Sequence, residues 1–167
     1  MNIALLSTDA DRWGLGIRLL STVLKESGHS TKLIFLSSED ASYSQGVLEA
    51  TKELLSGVDL VGIGCLSRGA SRAIQLLRTI RPLRKFTVWG GLHATLNPES
   101  CAKEADIICR GEGEDLILEL IRNLENGHAF SAGRPGSRSW RAPGCRWFDE
   151  PMGRNMSGSI RFEACGG

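Results

Sequence analysis

The side chains of this chain that could do chemistry lie in three short stretches. Asp9 and Asp11 stand in a loop that reaches Gly14, His93 follows a double glycine, and Glu112 and Glu114 surround a glycine before a helical pattern. The two glutamates could form an acid/base pair, but acidic residues at a helix start are explained by the helix dipole, so a domain-contact or turn-forming role is expected. The aspartates can act as turn or N-cap residues, and the histidine can cap local backbone.

The loop at residues 7–14 argues against ligands that are held mainly by phosphate. It lacks the G-x-G-x-x-G pattern of dinucleotide sites, and it lacks the run of small hydroxyl residues that flavodoxins place around a phosphate. Asp9 and Asp11 would repel such a group. The third predicted strand ends at Gly64-Cys65, where a phosphoacceptor receiver domain would need an aspartate.

Glycines end two predicted strands and could admit a ligand. The β-prone run at residues 86–89 stops at Gly90-Gly91, and the run at 107–109 stops before Gly111. Glycine has no Cβ, so a ligand can approach its backbone closely. In open parallel sheets, ligands bind outside the carboxyl ends of the strands. These glycines therefore predict a binding edge, with tight turns as the simpler alternative.

Apolar periodicity places these residues in an alternating α/β fold. Apolar runs predict strands at 2–6, 31–36, 58–64, 86–89 and 107–109, and helical spacing predicts helices over 15–24, 47–55, 71–80 and 116–124. The third helix is expected to expose Arg72 and Arg78. Five strands alternating with helices predict a flavodoxin-like (Rossmann-type) parallel sheet of order 2-1-3-4-5, with helices on both faces.

Composition limits the classes of partner. The 167 residues carry a formal net charge of +1 and five scattered cysteines, which indicates neither a nucleic-acid surface nor a zinc or iron–sulfur site. The cysteines are expected to be reduced thiols that fill apolar space. The sequence contains no transmembrane or signal pattern, so a cytoplasmic location is expected, with a neutral small molecule or another protein domain as the partner.

The last forty residues have a different character. Residues 128–167 contain no Leu, Val or Lys and are rich in Arg, Gly and Ser, so they cannot pack a core of their own. We expect one domain over residues 1–127, followed by an irregular tail over 128–167. This tail is interpreted as disordered, as loosely docked, or as the product of a truncated or frame-shifted reading.

Three motifs together resemble a known family. The first loop is similar to the D-x-H-x-x-G of cobalamin-binding domains, with Asp11 in place of the histidine. The stretches at 89–98 and 105–114, WGGLHATLNP and ADIICRGEGE, look like the GG-x-H-x-T and GEGE motifs of the cobalamin-binding domains fused to radical SAM enzymes. The resemblance covers residues 1–127.

The resemblance implies a set of cofactor-binding residues. In that family the dimethylbenzimidazole tail of the cofactor enters beside the first strand, between an S-x-L loop after strand three and the double glycine after strand four. Gly64 replaces that serine, Leu66 keeps the leucine, and Ser67 could reach the same region. The implied set is Asp9, Asp11, Trp13, Gly14, Gly64, Leu66, Ser67, Gly90, Gly91, His93, Gly111 and Glu112.

Individual roles follow from the same resemblance. Because Asp11 replaces the lower-ligand histidine, cobalamin is expected to bind base-off without a histidine from the protein, and no residue is assigned as a metal ligand. His93 is expected to contact the corrin or to cap backbone, with cobalt ligation as a further alternative. Trp13 is a candidate cover for the ring, and Trp89 is expected in the core.

The function implied is a cobalamin-binding module, either the N-terminal part or a truncated form of a B12-dependent radical SAM enzyme. The C-x-x-x-C-x-x-C motif that binds a [4Fe–4S] cluster beside S-adenosylmethionine is absent from the chain, so no self-contained catalytic site is expected. A radical SAM domain in cis or in trans would be the partner. The alternatives are a cobalamin-free flavodoxin-like interaction module and a small-molecule α/β enzyme.

Overall fold

The computed structural model describes residues 1–9, 14–36 and 38–126, and the backbone of residues 160–163. Its strands are β1 (Asn2–Ser7), β2 (Ser30–Phe35), β3 (Leu60–Gly64), β4 (Phe86–Gly90), β5 (Ile107–Arg110) and β6 (Ile160–Glu163). Its α-helices are α1 (Leu15–Glu26), α2 (Gln45–Leu54), α3 (Ala70–Ile80), α4 (Leu92–Leu96), α5 (Pro98–Cys101) and α6 (Glu114–Glu125). Within these described ranges, no helix is long and apolar enough to cross a membrane.

The six strands form one parallel sheet in the order β2-β1-β3-β4-β5-β6. The first five confirm the predicted flavodoxin-like order, which follows from right-handed connections through helices. The sixth strand was not predicted. It lies in the segment expected to be irregular and places Ile160 opposite Ile107 at the edge of β5.

Side chains of the central strands alternate between two apolar layers. Ile3 and Leu5 of β1 pack with α1 and α6 on one face of the sheet, whereas Ala4 and Leu6 pack with α2 and α3 on the other. This alternation is the two-residue period of a strand that is covered on both faces. All carboxyl strand ends consequently meet at one edge, which we call the carboxyl edge.

Several side chains differ from the sequence-based expectation. Arg72, expected on the exposed face of α3, is only 4% exposed, so that prediction is wrong. Leu15 and Leu19, which belong to the apolar spacing that predicts the helix over 15–24, are 77% and 51% exposed. Trp89 lies fully in the core, which confirms its predicted role.

The described cysteines confirm another expectation. Cys65, Cys101 and Cys109 are thiols outside any disulfide, and all three are buried in the apolar layers. They fill space in the core in the manner of small hydrophobic residues.

Candidate functional site

A slot of about 160 Å³ opens at the carboxyl edge, between the sheet and the helices α1 and α6. Its floor is formed by β1, β3 and β4, and its rim by the segment between β5 and α6. The lining residues are Leu5, Gly16, Ile17, Leu20, Gly62, Ile63, Gly64, Val88, Gly90, Gly91, Cys109, Gly111, Glu112, Gly113, Glu114, Leu116 and Ile117.

Three strand positions that line the slot have no side chain. A Cβ on Gly62 would lie 2.8 Å from Cδ2 of Leu5, and one on Gly64 would lie 3.2 Å from Cγ2 of Ile17. At Gly90 the nearest atom would be Cβ of Cys109, at an ordinary contact distance of 3.5 Å. None of the three has a positive φ. Gly90 is therefore not required by its own backbone, and its hydrogen leaves open space for a ligand.

Gly91 has a different structural reason. Its φ is 89°, and an added Cβ would lie 3.1 Å from both the backbone nitrogen and the carbonyl oxygen of Cys65. The backbone N–H of His93 also donates to the carbonyl of Cys65 at 3.2 Å. Only glycine fits such a close approach. The loops that follow β3 and β4 are thus held together directly at the carboxyl edge.

The loop after β1 is hydrogen-bonded to the loop after β3 at the carboxyl edge. The carboxylate of Asp9 accepts a hydrogen bond from the backbone N–H of Leu66, with its two oxygens 3.0 and 3.1 Å away. The hydroxyl of Thr8 donates to the carbonyl of Gly69 at 3.0 Å. Asp9 consequently lies on the same rim as Gly64 and Gly90, which face each other in register.

The buried side chain of Arg72 holds the loop after β1 through hydrogen bonds to backbone carbonyls. Its guanidinium donates to the carbonyl of Thr8 from Nε at 3.2 Å and from Nη2 at 2.8 Å, and Nη1 donates to the carbonyl of Asp40 at 2.6 Å. The guanidinium carbon lies 5.9 Å from the centre of the Tyr43 ring. A buried cation requires such partners. Arg72 therefore positions the backbone that presents Asp9.

His93 lies half-buried on the rim beside the loop after β3. Its Nδ1 is 3.2 Å from the Ser67 hydroxyl and 3.4 Å from Nδ2 of Asn97, and its ring is tilted against Trp89 with centroids 5.7 Å apart. One of these Nδ1 contacts is local and the other reaches the loop after β3, as expected of a histidine that stabilises loop structure. The loop after β3 and the helix α4 also expose three leucines, which are Leu66, Leu92 and Leu96.

The buried thiol beneath this rim does not resemble a reactive cysteine. Burial raises the pKa of Cys65 to about 11, although the Trp89 indole N–H and the Thr8 hydroxyl partly oppose the shift. A thiol that stays protonated is a poor nucleophile and a poor metal ligand. Among the residues that the structure describes, no group of three or more His, Cys, Asp or Glu side chains could hold a metal ion.

The structure brings most of the predicted site residues to one edge. Gly64, Gly90, Gly91, Gly111 and Glu112 line the slot. Asp9, Leu66, Ser67 and His93 do not line it and lie in the loops that follow β1, β3 and β4 at the carboxyl edge. Gly14 precedes α1 with a φ of 38° and packs against Phe35, where a Cβ would lie 2.7 Å from the ring. Asp11 and Trp13 lie outside the described residues.

Sequence reasoning missed the walls of the slot. The residues not predicted come from strand interiors, from facing sides of α1 and α6 and from the start of α6, and they are Leu5, Gly16, Ile17, Leu20, Gly62, Ile63, Val88, Cys109, Gly113, Leu116 and Ile117. Glu114, singled out above for its possible chemistry, lines the slot as well. Gly62 gave one usable signal, because a glycine inside a strand often marks a close approach. The apolar wall residues gave none, since core and slot positions have the same pattern.

Comparisons with known proteins give a family and several relatives of this chain. A family model described as the B12 binding domain matches residues 1–121. Over 68 residues the chain is 38% identical to bacteriochlorophyllide d C-8(2)-methyltransferase of Chlorobaculum tepidum, which covers 41% of this chain and 15% of that protein.

Two further relatives cover more of the chain. An uncharacterized methyltransferase of Pyrococcus horikoshii is 30% identical over 118 residues, covering 68% of this chain and 25% of that protein. The anaerobic magnesium-protoporphyrin IX monomethyl ester cyclase of Rubrivivax gelatinosus is 31% identical over 133 residues, covering 70% and 23%. The matched stretches thus span a quarter or less of each of these relatives.

A solved structure supports the fold independently. The response regulator domain of Thermotoga maritima CheB superposes with a TM-score of 0.50 at 15% identity, covering 75% of this chain and 98% of that one. At this identity the similarity concerns the flavodoxin-like fold alone.

Proposed function

The chain belongs to the family of B12-binding domains, and from this premise we propose that residues 1–127 form a module that holds cobalamin with its nucleotide base in the slot. The observation that carries the proposal is the glycine-lined slot at the carboxyl edge. It measures about 160 Å³, and a cavity of about 150 Å³ in another protein accommodates a benzene ring. The open end of the slot leaves room for the remainder of a larger base.

The residues present fit this group sterically and chemically. Gly90 leaves open space that a side chain would fill, and Gly64 lets Cγ2 of Ile17 lie close to the strand. The walls between α1 and α6 are mainly apolar. The exposed leucines Leu66, Leu92 and Leu96 would support the apolar parts of the corrin at the rim. An apolar cavity with a few polar groups at its mouth is the usual form of a cofactor site.

We further propose that cobalamin binds base-off and without a lower imidazole from the protein. The position that would carry the histidine is Asp11. His93 makes its Nδ1 contacts with Ser67 and Asn97 on the rim, which supports a role in shaping the loop. Asp9, already bound to the backbone of Leu66, would hold the loop in place beneath the corrin.

The module would serve a larger enzyme. When bound, cobalamin supplies methyl-group or radical chemistry, and the relatives are named as methyltransferases and as a cyclase. We propose that a radical SAM domain, in cis or in trans, carries the [4Fe–4S] cluster and S-adenosylmethionine. Within the 167 residues, the chain's own role is to bind and orient the cofactor.

Loading the purified protein with hydroxocobalamin tests the proposal. After gel filtration we expect a corrin spectrum that co-elutes with the protein at one equivalent. After reduction to the cob(II) state, the EPR spectrum should lack the nitrogen hyperfine splitting of an axial nitrogen ligand, and His93→Ala should give the same spectrum. If tens of micromolar protein retain no corrin, the cobalamin-free interaction module becomes the better explanation. A nitrogen splitting that disappears in His93→Ala would instead contradict the proposed coordination.

A further inference from the structure

The deep part of the slot offers almost no hydrogen-bonding side chain. Its walls are aliphatic, formed by Leu5 and Val88 on the sheet, by Ile17 and Leu20 on α1, and by Leu116 and Ile117 on α6. All of these except Leu20 are at most 8% exposed. Among the described residues that line the slot, Cys109 is the one side chain with a polar hydrogen, and a thiol is a weak donor.

The backbone of the floor is also occupied. Gly62 lies opposite Leu5 of β1 and opposite Val88 of β4, so β3 is an interior strand. The N–H and C=O groups of an interior strand are used by its neighbours in the sheet. A ligand that rests on Gly62 therefore meets apolar surface and finds no free donor or acceptor.

The charged groups of the slot stand at its mouth. Glu112 and Glu114 belong to the segment that follows β5, Glu112 is exposed, and Glu114 is half-buried at the start of α6. Their carboxylates can meet the sugar and the solvent-facing part of a nucleotide. They lie at the carboxyl edge, whereas Leu5, Gly62 and Val88 form the inner end of the slot.

We propose that this slot discriminates between corrinoids by their lower base and favours dimethylbenzimidazole over adenine. The inference rests on the proposed binding of cobalamin through the slot. The outer edge of dimethylbenzimidazole is two methyl groups, which gain by contact with aliphatic walls. Adenine carries an exocyclic amine and additional ring nitrogens, which would lose water and gain no partner at the inner end.

Binding measurements with three corrinoids test base selectivity separately from the proposed binding of cobalamin. Cobalamin, cobinamide, which lacks the nucleotide, and adeninylcobamide are titrated into the purified protein, and the dissociation constants are compared. We expect cobinamide and adeninylcobamide each to bind about tenfold or more weakly than cobalamin, a factor equal to about 1.4 kcal/mol.

A matched pair of protein variants controls for differences between the corrinoids that exist before they bind. Adenine and dimethylbenzimidazole differ in how strongly they coordinate cobalt in solution, but this difference is the same for every protein variant. Val88→Thr places a hydroxyl in the slot, whereas Val61→Thr places the same hydroxyl in the apolar layer on the opposite face of the sheet. The selectivity ratio is the dissociation constant of adeninylcobamide divided by that of cobalamin. This ratio should fall about fivefold or more in Val88→Thr and stay unchanged in Val61→Thr.

Cys109→Ser provides a second test of the selectivity ratio if Val88→Thr does not fold. It exchanges a buried thiol that lines the slot for a stronger hydrogen-bonding group of similar size, and it should shift the ratio in the same direction.

The outcomes are distinct. Equal affinity for cobalamin and cobinamide would overturn use of the slot and with it the proposed binding mode. Tight cobalamin binding and weak cobinamide binding, together with a selectivity ratio that neither slot variant changes, would overturn base selectivity alone. Adeninylcobamide that binds the unaltered protein as tightly as cobalamin, with no change in Val88→Thr, would overturn it as well.

Discussion

Replacing Gly90 by valine would block the slot with little cost to the fold. A Cβ at this position would lie 3.5 Å from its nearest neighbour, Cβ of Cys109, and the backbone does not have a positive φ. Valine is also favoured in strands, and Gly90 ends β4. The added methyl groups would occupy the space that Gly90 leaves open between β4 and the helices.

The expected loss of affinity follows from the apolar area that the base can no longer bury. An aromatic group of side-chain size buries about 150–250 Å², which at about 25 cal/mol per Å² is worth about 4–6 kcal/mol. The slot measures about 160 Å³, so it has no spare room for both valine and the base. If half of this contribution is lost, cobalamin binds roughly a hundredfold more weakly, equal to about 2.7 kcal/mol.

Isothermal titration calorimetry with hydroxocobalamin measures this loss, with Gly46→Val as the control. Gly46 lies in α2, and an added Cβ would meet no atom within 4 Å, so its affinity for cobalamin should be unchanged. Gly90→Ala should fall between the unaltered protein and Gly90→Val. A folded Gly90→Val protein that binds cobalamin within about threefold of the unaltered protein would refute the reasoning that places the base in the slot.

Three further predictions concern the rim and the core beneath it. Because burial raises the pKa of Cys65 from 9.0 to about 11, its stabilising contribution is complete below pH 9 and is lost as the pH rises to 11. Between these values the unaltered protein should lose about 2 kcal/mol more unfolding free energy in urea than Cys65→Ala. Arg72→Met leaves the buried carbonyl of Thr8 and the part-buried carbonyl of Asp40 without their cation, and it should lower the unfolding free energy by about 2–4 kcal/mol; an unchanged urea midpoint would contradict this. Asp9→Ala frees the backbone N–H of Leu66 and should weaken cobalamin binding by about tenfold, whereas Asp9→Asn, which keeps an acceptor, should weaken it less, as measured by equilibrium dialysis. Equal losses in the two variants would show that the charge of Asp9 matters more than the hydrogen bond.

The sequence by itself determined the strand order and the edge at which the loops meet. Strands and helices have different apolar periods, and the connections between parallel strands have one hand, so local patterns were enough to predict β2-β1-β3-β4-β5. The glycines after β3 and β4 were also readable, because a strand that ends in glycine reports a backbone property of that position. The same motifs gave the family that the family model then matched over residues 1–121.

Only the tertiary structure decided what surrounds that edge. The burial of Arg72 depends on the loop at residues 38–44 folding over α3, and the walls of the slot depend on which sides of α1 and α6 face each other. An aliphatic residue that fills a core and one that lines a slot have the same composition and spacing. The two kinds of residue differ in what the neighbouring strand places opposite them, which is a side chain in the core and a glycine in the slot. That difference is a long-range property that no local pattern contains.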